Sequence, residues 1–361
     1  MKKNIIIIVL SAFSNTIIAQ DTAKLNNTFS WSIFADTYYS YDFNKPQNHL
    51  KPSFLYNNNR HNEFNLNLGL FKAAYNAEKV RANVGLMAGT YPQYNLAAEQ
   101  ELLRHVYEAN AGVKISKNNN LWIDAGIMPS HIGYESAISK DNWTLTRSIS
   151  AENTPYYEAG AKITYTTKSE KVAISGMLLN GWQRMRRPEA NNTPAFGTQL
   201  TVKPNEKTTF NWSTFIGNDK PDSVKQWRYF NNFYGIFQFN DKIGLTLGFD
   251  IGAEQKSKGS SSLNTWYTPT IVIRFTPDNN WAIAARGEYY SDEKGVIIST
   301  GTVNGFKTFG ASLNFDRKIN ETFWWRTELR TLQSKDAIFK KQGSNTKSNT
   351  AITTSFAISF L

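Results

Sequence analysis

Four histidines are the residues best suited to chemistry, and their positions bear on whether the chain is a hydrolase. Nucleophilic hydrolysis needs a serine, a histidine and an acid or amide within hydrogen-bond reach of one another. His49, His61, His105 and His131 all lie in or beside long connecting stretches, and none lies mid-strand next to an in-phase serine. Asp42 could still approach His61 or His105 to form a protease site, but no sequence spacing indicates such a site. The sequence therefore argues against an enzyme, and it predicts no cofactor and no metal site.

Charged side chains are the second chemically useful set, because groups of both signs can line an aqueous passage and select solutes. Residues 129–155 form the longest connection and carry many polar and aromatic groups. Two interpretations are open: the stretch folds inward and sets a constriction, or it packs as a surface lid or against a neighbouring subunit. Its constriction candidates are His131, Glu135, Lys140, Asp141, Arg147 and Glu152. The candidates on regular segments are Asp124, Glu158, Lys162, Arg286, Glu288, Arg326, Glu328 and Arg330.

The elements that would position these side chains are β-strands. Residues 64–70, 243–254 and 352–360 alternate between apolar and polar or small residues, which is the period of a strand with two different faces. Sixteen such segments follow one another along the chain. Their predicted spans are 29–43, 62–77, 79–91, 105–117, 120–128, 156–167, 170–181, 195–204, 207–218, 227–240, 242–254, 263–276, 280–292, 305–317, 321–334 and 348–361.

The connections between these segments alternate in length. Outer-membrane barrels combine short periplasmic turns with long extracellular loops and an even strand number. The sequence therefore predicts an all-β fold, a transmembrane antiparallel up-and-down β-barrel of about sixteen strands. The short turns are 76–79, 116–120, 168–171, 204–207, 240–242, 277–280 and 316–321. The long loops are 44–61, 92–104, 129–155, 182–194, 219–226, 255–262, 293–304 and 335–347.

The two faces of these strands differ as a membrane barrel requires. The apolar faces carry almost no charge, and a lysine or arginine at mid-bilayer costs about 2–4 kcal/mol. The charged faces would then line an aqueous lumen. Two positions fit poorly. Lys72 falls in phase with Leu68 and Leu70, so either a bulge resets the register or Lys72 lies near the interface; Asn231 falls in phase with Phe233.

The N-terminus and the composition indicate export. Residues 1–19 combine two lysines, an apolar run and a terminal Ala19, the pattern of a cleaved Sec signal peptide. Residues 20–361 would form the barrel. The chain has no cysteine and a net charge of +11. Because an exported chain does not meet nucleic acid, we assign this charge to loops and lumen that contact lipopolysaccharide or anionic solutes.

Several motifs resemble the OmpL-like β-barrel porin family common in Bacteroidota outer membranes. The strongest runs from Gly126 to Ser136 and continues through 142–143, 147–148, 151–153 and 155–158; residues 36–46 and 180–183 also match. The C-terminal 358–360 resembles the signal that barrel-assembly machinery reads, although the aromatic residue is penultimate. The resemblance covers essentially all of residues 20–361 and implies a barrel in the bacterial outer membrane.

These observations lead to one main hypothesis and one alternative. The main hypothesis is an outer-membrane porin that passes small hydrophilic solutes by passive diffusion, after Sec-dependent export. Its expected partners are outer-membrane lipid, lipopolysaccharide, the barrel-assembly machinery and two further copies in a homotrimer. The alternative is an occluded barrel whose extracellular loops bind a surface or dock another protein.

Overall fold

The computed structural model describes residues 28–360, so the predicted signal peptide lies outside the described residues. Within residues 28–360, sixteen strands close into one antiparallel barrel in which neighbours in sequence pair and the last strand joins the first. The first eight strands are β1 (Thr28–Asp42), β2 (Phe64–Asn76), β3 (Val80–Ala88), β4 (Val106–Lys114), β5 (Asn120–Pro129), β6 (Tyr157–Thr166), β7 (Val172–Leu179) and β8 (Ala195–Asn205). The others are β9 (Thr208–Gly217), β10 (Arg228–Gln238), β11 (Ile243–Gln255), β12 (Leu263–Asp278), β13 (Trp281–Asp292), β14 (Phe306–Asn320), β15 (Phe323–Ser334) and β18 (Ser348–Phe360).

Short elements occupy the long connections. A two-stranded hairpin, β16 (Phe339–Lys341) and β17 (Ser344–Thr346), lies between β15 and β18. The α-helices are α1 (Thr90–Asn95) and α2 (Ile149–Glu152), and 3₁₀ turns span Glu101–His105, Ser139–Asp141 and Asp222–Val224. None of the helices in the described part of the chain is long and apolar enough to cross a membrane.

The predicted fold class is confirmed. Observed strand bounds differ from the predicted spans by only a few residues, as in Thr208–Gly217 against a predicted 207–218. Long connections gather at one end of the barrel and tight turns at the other, because every strand runs antiparallel to its neighbours. Outward side chains such as Leu313 and Phe356 are 58% and 54% exposed, whereas the inward Glu328 is 1% exposed.

A β-bulge in β2 corrects one predicted face. The pairing of β1 with β2 shifts between Asp36 and Thr37, where Asp36 lies opposite Leu68 and Thr37 opposite Leu66. The extra residue in β2 reverses the faces beyond it. Leu68 and Leu70, predicted to face lipid, are therefore buried inside the barrel at 0% and 4% exposure. The bulge also turns Lys72 inward, where it pairs with Glu108 at 2.8 Å.

The polar outlier in β10 keeps its outward position. Asn231 pairs across the sheet with Thr214 and Ile251, and Ile251 is an exposed outward residue. The Trp212 indole Nε1 donates a hydrogen bond to Asn231 Oδ1 at 3.0 Å, and the Trp212 ring stacks on Phe233. An amide that would be costly in hydrocarbon thus gains a partner on the same face.

A hydrophobic core fills the interior of the barrel at its long-loop end. Phe54 and Leu55 from loop 44–61 and Ile149 from loop 129–155 belong to one buried cluster. Strand residues in the same cluster include Phe306 and Leu332. Apolar residues on the inward phase of these strands therefore serve packing between the wall and the loops, and they position the loop residues described next.

Candidate functional site

Residues 129–155 leave the wall between β5 and β6 and cross the interior to strands far around the ring. The backbone N–H of Leu145 donates to Asn314 Oδ1 of β14 at 2.9 Å. The N–H of Thr146 donates to the Glu328 carboxylate of β15 at 2.6 Å, and that of Ile149 to Glu288 of β13 at 2.6 Å. Because these bonds use main-chain donors, the path of the loop is held by its backbone.

Arg286 of β13 joins the crossing loop to the wall acids. Its guanidinium donates to the Thr146 carbonyl at 2.6 Å and to Thr144 Oγ1 at 2.9 Å. It also pairs with Glu328 at 2.9 Å and lies 3.5 Å from Glu288. The side chains of Arg286 and Glu328 are both 0% exposed. Each buried charge is thus paired with an opposite charge and hydrogen-bonded to the loop, as burial requires.

Two other arginines, both on β15, likewise bind an acidic side chain of the wall and a main-chain carbonyl of the loop. Arg330 donates to Glu288 at 2.6 Å and to the Arg147 carbonyl at 2.9 Å. Arg326 forms two bonds to Asp316, at 2.7 and 2.9 Å. Arg326 also donates to the carbonyls of Asn142, at 3.0 Å, and Ser139. Arg326 and Arg330, which face inward from the same strand, therefore bind successive main-chain carbonyls of the loop.

The start of the loop is held by His131. Its Nδ1 lies 2.8 Å from the Glu158 carboxylate and its Nε2 lies 2.8 Å from the Thr214 carbonyl. Both partners are acceptors, so the ring satisfies both only when it is doubly protonated. Burial alone would lower the pKa of His131, but the Glu158 carboxylate and the Thr214 carbonyl outweigh it and raise that pKa. The imidazolium form stabilises this end of the loop.

The far end of the loop is tied to a second loop through Glu152. Ser148 caps the one-turn helix α2 by accepting from Ala151 N–H at 3.1 Å, which positions Glu152 on its last turn. The Glu152 carboxylate accepts from the Tyr56 N–H at 3.0 Å and from the Asn57 side-chain amide at 3.1 Å. Loop 44–61 is thereby docked on loop 129–155 inside the barrel mouth.

Arg147 is the most enclosed cation of the loop. The Arg147 residue is 1% exposed, its guanidinium lies over the Tyr156 ring, and Nη2 lies 3.8 Å from Glu152. Burial lowers the pKa of Arg147, and Glu152 opposes that shift. The neighbouring Glu135 accepts from the Ser148 N–H at 3.1 Å. Burial raises the pKa of Glu135, with Arg286 opposing the shift.

Lys140 and Asp141 do not join this network. They pair with each other at 2.8 Å, with side chains 21% and 14% exposed, and Lys140 Nζ lies 5.7 Å from the Trp324 ring centroid. Of the predicted loop residues, four therefore contribute to the buried contacts, and this pair forms a separate, mostly buried contact of its own.

Asp124 and Lys162 lie in a different part of the interior, nearer the short turns. They face each other across β5 and β6. Arg81 of β3 pairs with Asp124 at 2.5 Å and keeps 31% of its side chain exposed. The Arg81 guanidinium also lies 4.4 Å from the Trp122 ring centroid. Arg81 is not among the residues predicted from the sequence, although the alternation of β3 places it on the inward face.

Three other contributors were missed because they depend on distant partners. Asp250 of β11 accepts from Asn232 and from Ser150 of the loop. Asn232 also receives the Gly133 N–H at 3.1 Å. Lys51 of loop 44–61 reaches Thr353 Oγ1 at 2.9 Å, and burial lowers the pKa of Lys51 to about 8. Within residues 28–360 no group of three acidic or histidine side chains is arranged to hold a metal ion.

A closed antiparallel barrel with an apolar outer face and a charged interior crossed by a long loop defines an outer-membrane channel of the porin class. The chain belongs to the family described as "Putative beta-barrel porin-2, OmpL-like", whose model matches residues 28–360. The predicted resemblance to OmpL-like porins is thereby confirmed. Porins pass small solutes by passive diffusion, and their function is transport rather than catalysis.

Solved structures support the same fold. The anion-selective porin from Comamonas acidovorans aligns with a TM-score of 0.62 at 8% identity, covering 93% of this chain and 100% of that one. The DcaP channel of Acinetobacter baumannii gives 0.60 at 10% identity, covering 92% and 97%. OmpT of Vibrio cholerae in a trimer form gives 0.61 at 8%, covering 92% and 99%. A comparison with curated protein sequences finds no match.

Proposed function

We propose that residues 129–155 form the constriction of this porin and that small hydrophilic solutes pass beside the loop through the charged interior. The observation that carries the proposal is the set of main-chain bonds from this loop to Asn314, Glu328 and Glu288. A loop fixed across the lumen by its backbone limits the size of what passes. The wall charges near it then act on any solute at close range.

The constriction candidates fall into two groups under this proposal. Glu135, Arg147, Glu152, Arg286, Glu288, Arg326, Glu328 and Arg330, with His131 and Glu158 at the loop base, set the position of the loop. Asp124 and Lys162 form the second group with Arg81, whose side chain keeps 31% of its surface exposed to water. Lys140 and Asp141 lie apart from both groups. Because they pair with each other, they add little net charge along the path of a solute. Solute discrimination therefore rests mainly on the second group.

A second candidate function follows from how thoroughly the long-loop half is packed. Leu145 and Ile149 of the loop are 1% and 0% exposed, and Phe54 of loop 44–61 contacts Phe306 with ring centroids 4.7 Å apart. Such packing would suit an occluded barrel whose loops bind a surface or another protein. This candidate differs from the first by predicting a closed lumen.

Planar-bilayer conductance separates the two functions. Refolded, detergent-purified protein is compared with the same protein lacking residues 132–152. We expect small open steps from the intact chain and clearly larger steps from the deletion, because the crossing segment is removed from the lumen. Equal steps from both would place the constriction elsewhere. No steps from either correctly folded barrel would favour the occluded, surface-binding function.

The cellular setting completes the proposal. The long loops face the exterior, the chain is exported by the Sec route, and the barrel-assembly machinery reads its last strand. Charged loops contact lipopolysaccharide, and three copies assemble into a homotrimer. The trimer form of a Vibrio cholerae barrel with the same fold supports this last point. Cross-linking in native membranes followed by gel electrophoresis would test it, since a monomer band alone would contradict it.

A further inference from the structure

A groove on the outside of the barrel lies at its long-loop rim. It has a volume of about 590 Å³, opens to solvent, and is formed where three long loops meet the start of β8 and the residue that precedes β10. Asn192 and Thr193 come from one loop, Asp222 and Lys225 from the next, and Lys258 from the third. Phe196 and Trp227 complete its lining. The groove therefore joins loop side chains to the membrane-facing surface.

Two lysines and one carboxylate carry the charge of the groove, which leaves it net positive. Lys225 Nζ lies 4.9 Å from the Trp227 ring centroid. Lys258 Nζ donates to the Asp222 main-chain carbonyl at 3.0 Å. The Asp222 carboxylate is turned to the groove wall, where it accepts from Asn192 N–H at 3.0 Å and Thr193 Oγ1 at 2.8 Å. Each lysine thus retains donors for an anion that enters the groove.

An apolar track leads from the groove along the outer face. Phe196 is 49% exposed and pairs across the sheet with Ile216, which is 41% exposed. Ile216 pairs in turn with Tyr229, which is 39% exposed. These three side chains point outward next to one another, so an acyl chain can lie on them. A free phosphate would use the lysines but has no use for this track.

We propose that the groove binds the phosphorylated headgroup of an outer-leaflet glycolipid, with acyl chains on Phe196, Ile216 and Tyr229. Lys225 and Lys258 contact the phosphate, while Trp227 and Asn192 offer a ring face and an amide to the sugar. The proposal rests on the orientation given under the proposed function, because only then does the groove meet the outer leaflet. It names a lipid site that is separate from the lumen.

Native mass spectrometry of the detergent-purified barrel titrated with bis-phosphorylated lipid A tests the proposal. We expect one lipid A bound to the wild type and about thirtyfold weaker binding to the K225A/K258A double variant, from roughly equal contributions of two interfacial lysines. The matched control is K340A/K341A, which removes the same charge from the β16 hairpin and is expected to bind like the wild type. Heat-dependent gel mobility checks that every variant is folded.

Two further probes separate the sources of phosphate. Lipid A without its phosphates is expected to bind the wild type as weakly as phosphorylated lipid A binds the double variant. Inorganic phosphate at the lipid concentration is expected not to compete. Equal lipid affinity in wild type and double variant, equal loss in both lysine pairs, or full competition by phosphate would each overturn the proposal. Bilayer conductance of the double variant stays that of the wild type, so failure here leaves the channel function untouched.

Discussion

The two halves of the barrel interior use charge in different ways. At the long-loop half, Arg286 and Glu328 have fully buried side chains bonded to a crossing loop. At the short-turn half, Arg81 pairs with Asp124 but keeps 31% of its side chain in contact with solvent. In both pairs the two residues face inward from strands that are separated by one other strand, β13 and β15 in the first pair and β3 and β5 in the second. The alternation of residues along the strands therefore does not distinguish the two pairs. The charges of the first half stabilise a loop, whereas Arg81 in the second half remains in contact with solvent.

Breaking the buried pair is expected to have the largest effect. Arg286→Met removes the bonds to Thr144 and Thr146 and leaves Glu328 enclosed with less compensation. Loss of one partner of a buried ion pair costs about 3–5 kcal/mol. We expect that loss in urea unfolding of the barrel in lipid vesicles, together with larger conductance steps as the loop detaches. Unchanged stability and conductance would show that the loop is held by packing alone.

The connection between the two inner loops is the next test. Glu152→Gln keeps the shape but loses the charge that accepts from Tyr56 and Asn57, a cost of about 1–3 kcal/mol. We expect loop 44–61 to open more often and to be cleaved faster in limited proteolysis. Glu189→Gln, in an exposed loop position, is the matched control and is expected to leave cleavage unchanged. Equal cleavage in all three proteins would contradict the docking role of Glu152.

The barrel could be predicted from the sequence because each strand turns one face to lipid and the other to the polar interior. This pattern repeats in sixteen strands. The position of Lys72 on the apolar phase left a bulge and an interfacial position open, and its inward pairing with Glu108 agrees with the bulge. The inward Leu68 and Leu70 were not predicted, because an extra residue in β2 is invisible until its pairing with β1 is known.

The interior contacts were beyond the sequence for a different reason. Thr146 meets Glu328 across 182 positions, and Ser150 meets Asp250 across 100. No periodicity relates such pairs, because a loop's path is set by packing with side chains from distant strands. Composition marked loop 129–155 as chemically rich, but nothing local indicated that loop 44–61 docks on Glu152. Residue types thus identified the candidate residues, whereas their partners could be identified only from the closed barrel.

A pH titration tests how firmly the base of the loop is held. Folding raises the pKa of His131 above its ordinary 6.5, so the protonated ring stabilises loop docking fully below about pH 6.5. That contribution is lost as the pH rises through the raised pKa. We expect noisier and larger open steps at pH 9 than at pH 6, with an effect below that of E152Q because a neutral ring keeps one bond. His131→Gln is expected to show no such pH dependence, and a retained dependence would assign it to another group.

The smallest effect on stability is expected in the short-turn half of the interior, where we expect a clear effect on ion selectivity instead. Arg81→Met breaks a partly exposed pair, which contributes about 0–1 kcal/mol, and Lys162 remains opposite Asp124 to offset the freed carboxylate. The reversal potential in a potassium chloride gradient is nevertheless expected to shift toward cations, since a charge in contact with the aqueous path is removed. Arg317→Met, which removes an arginine stacked on Trp281 at 4.0 Å, is the control without a shift. If Arg81→Met destabilised the barrel as much as Arg286→Met and left the reversal potential unchanged, the two halves would not differ in the way the burial of their charges indicates.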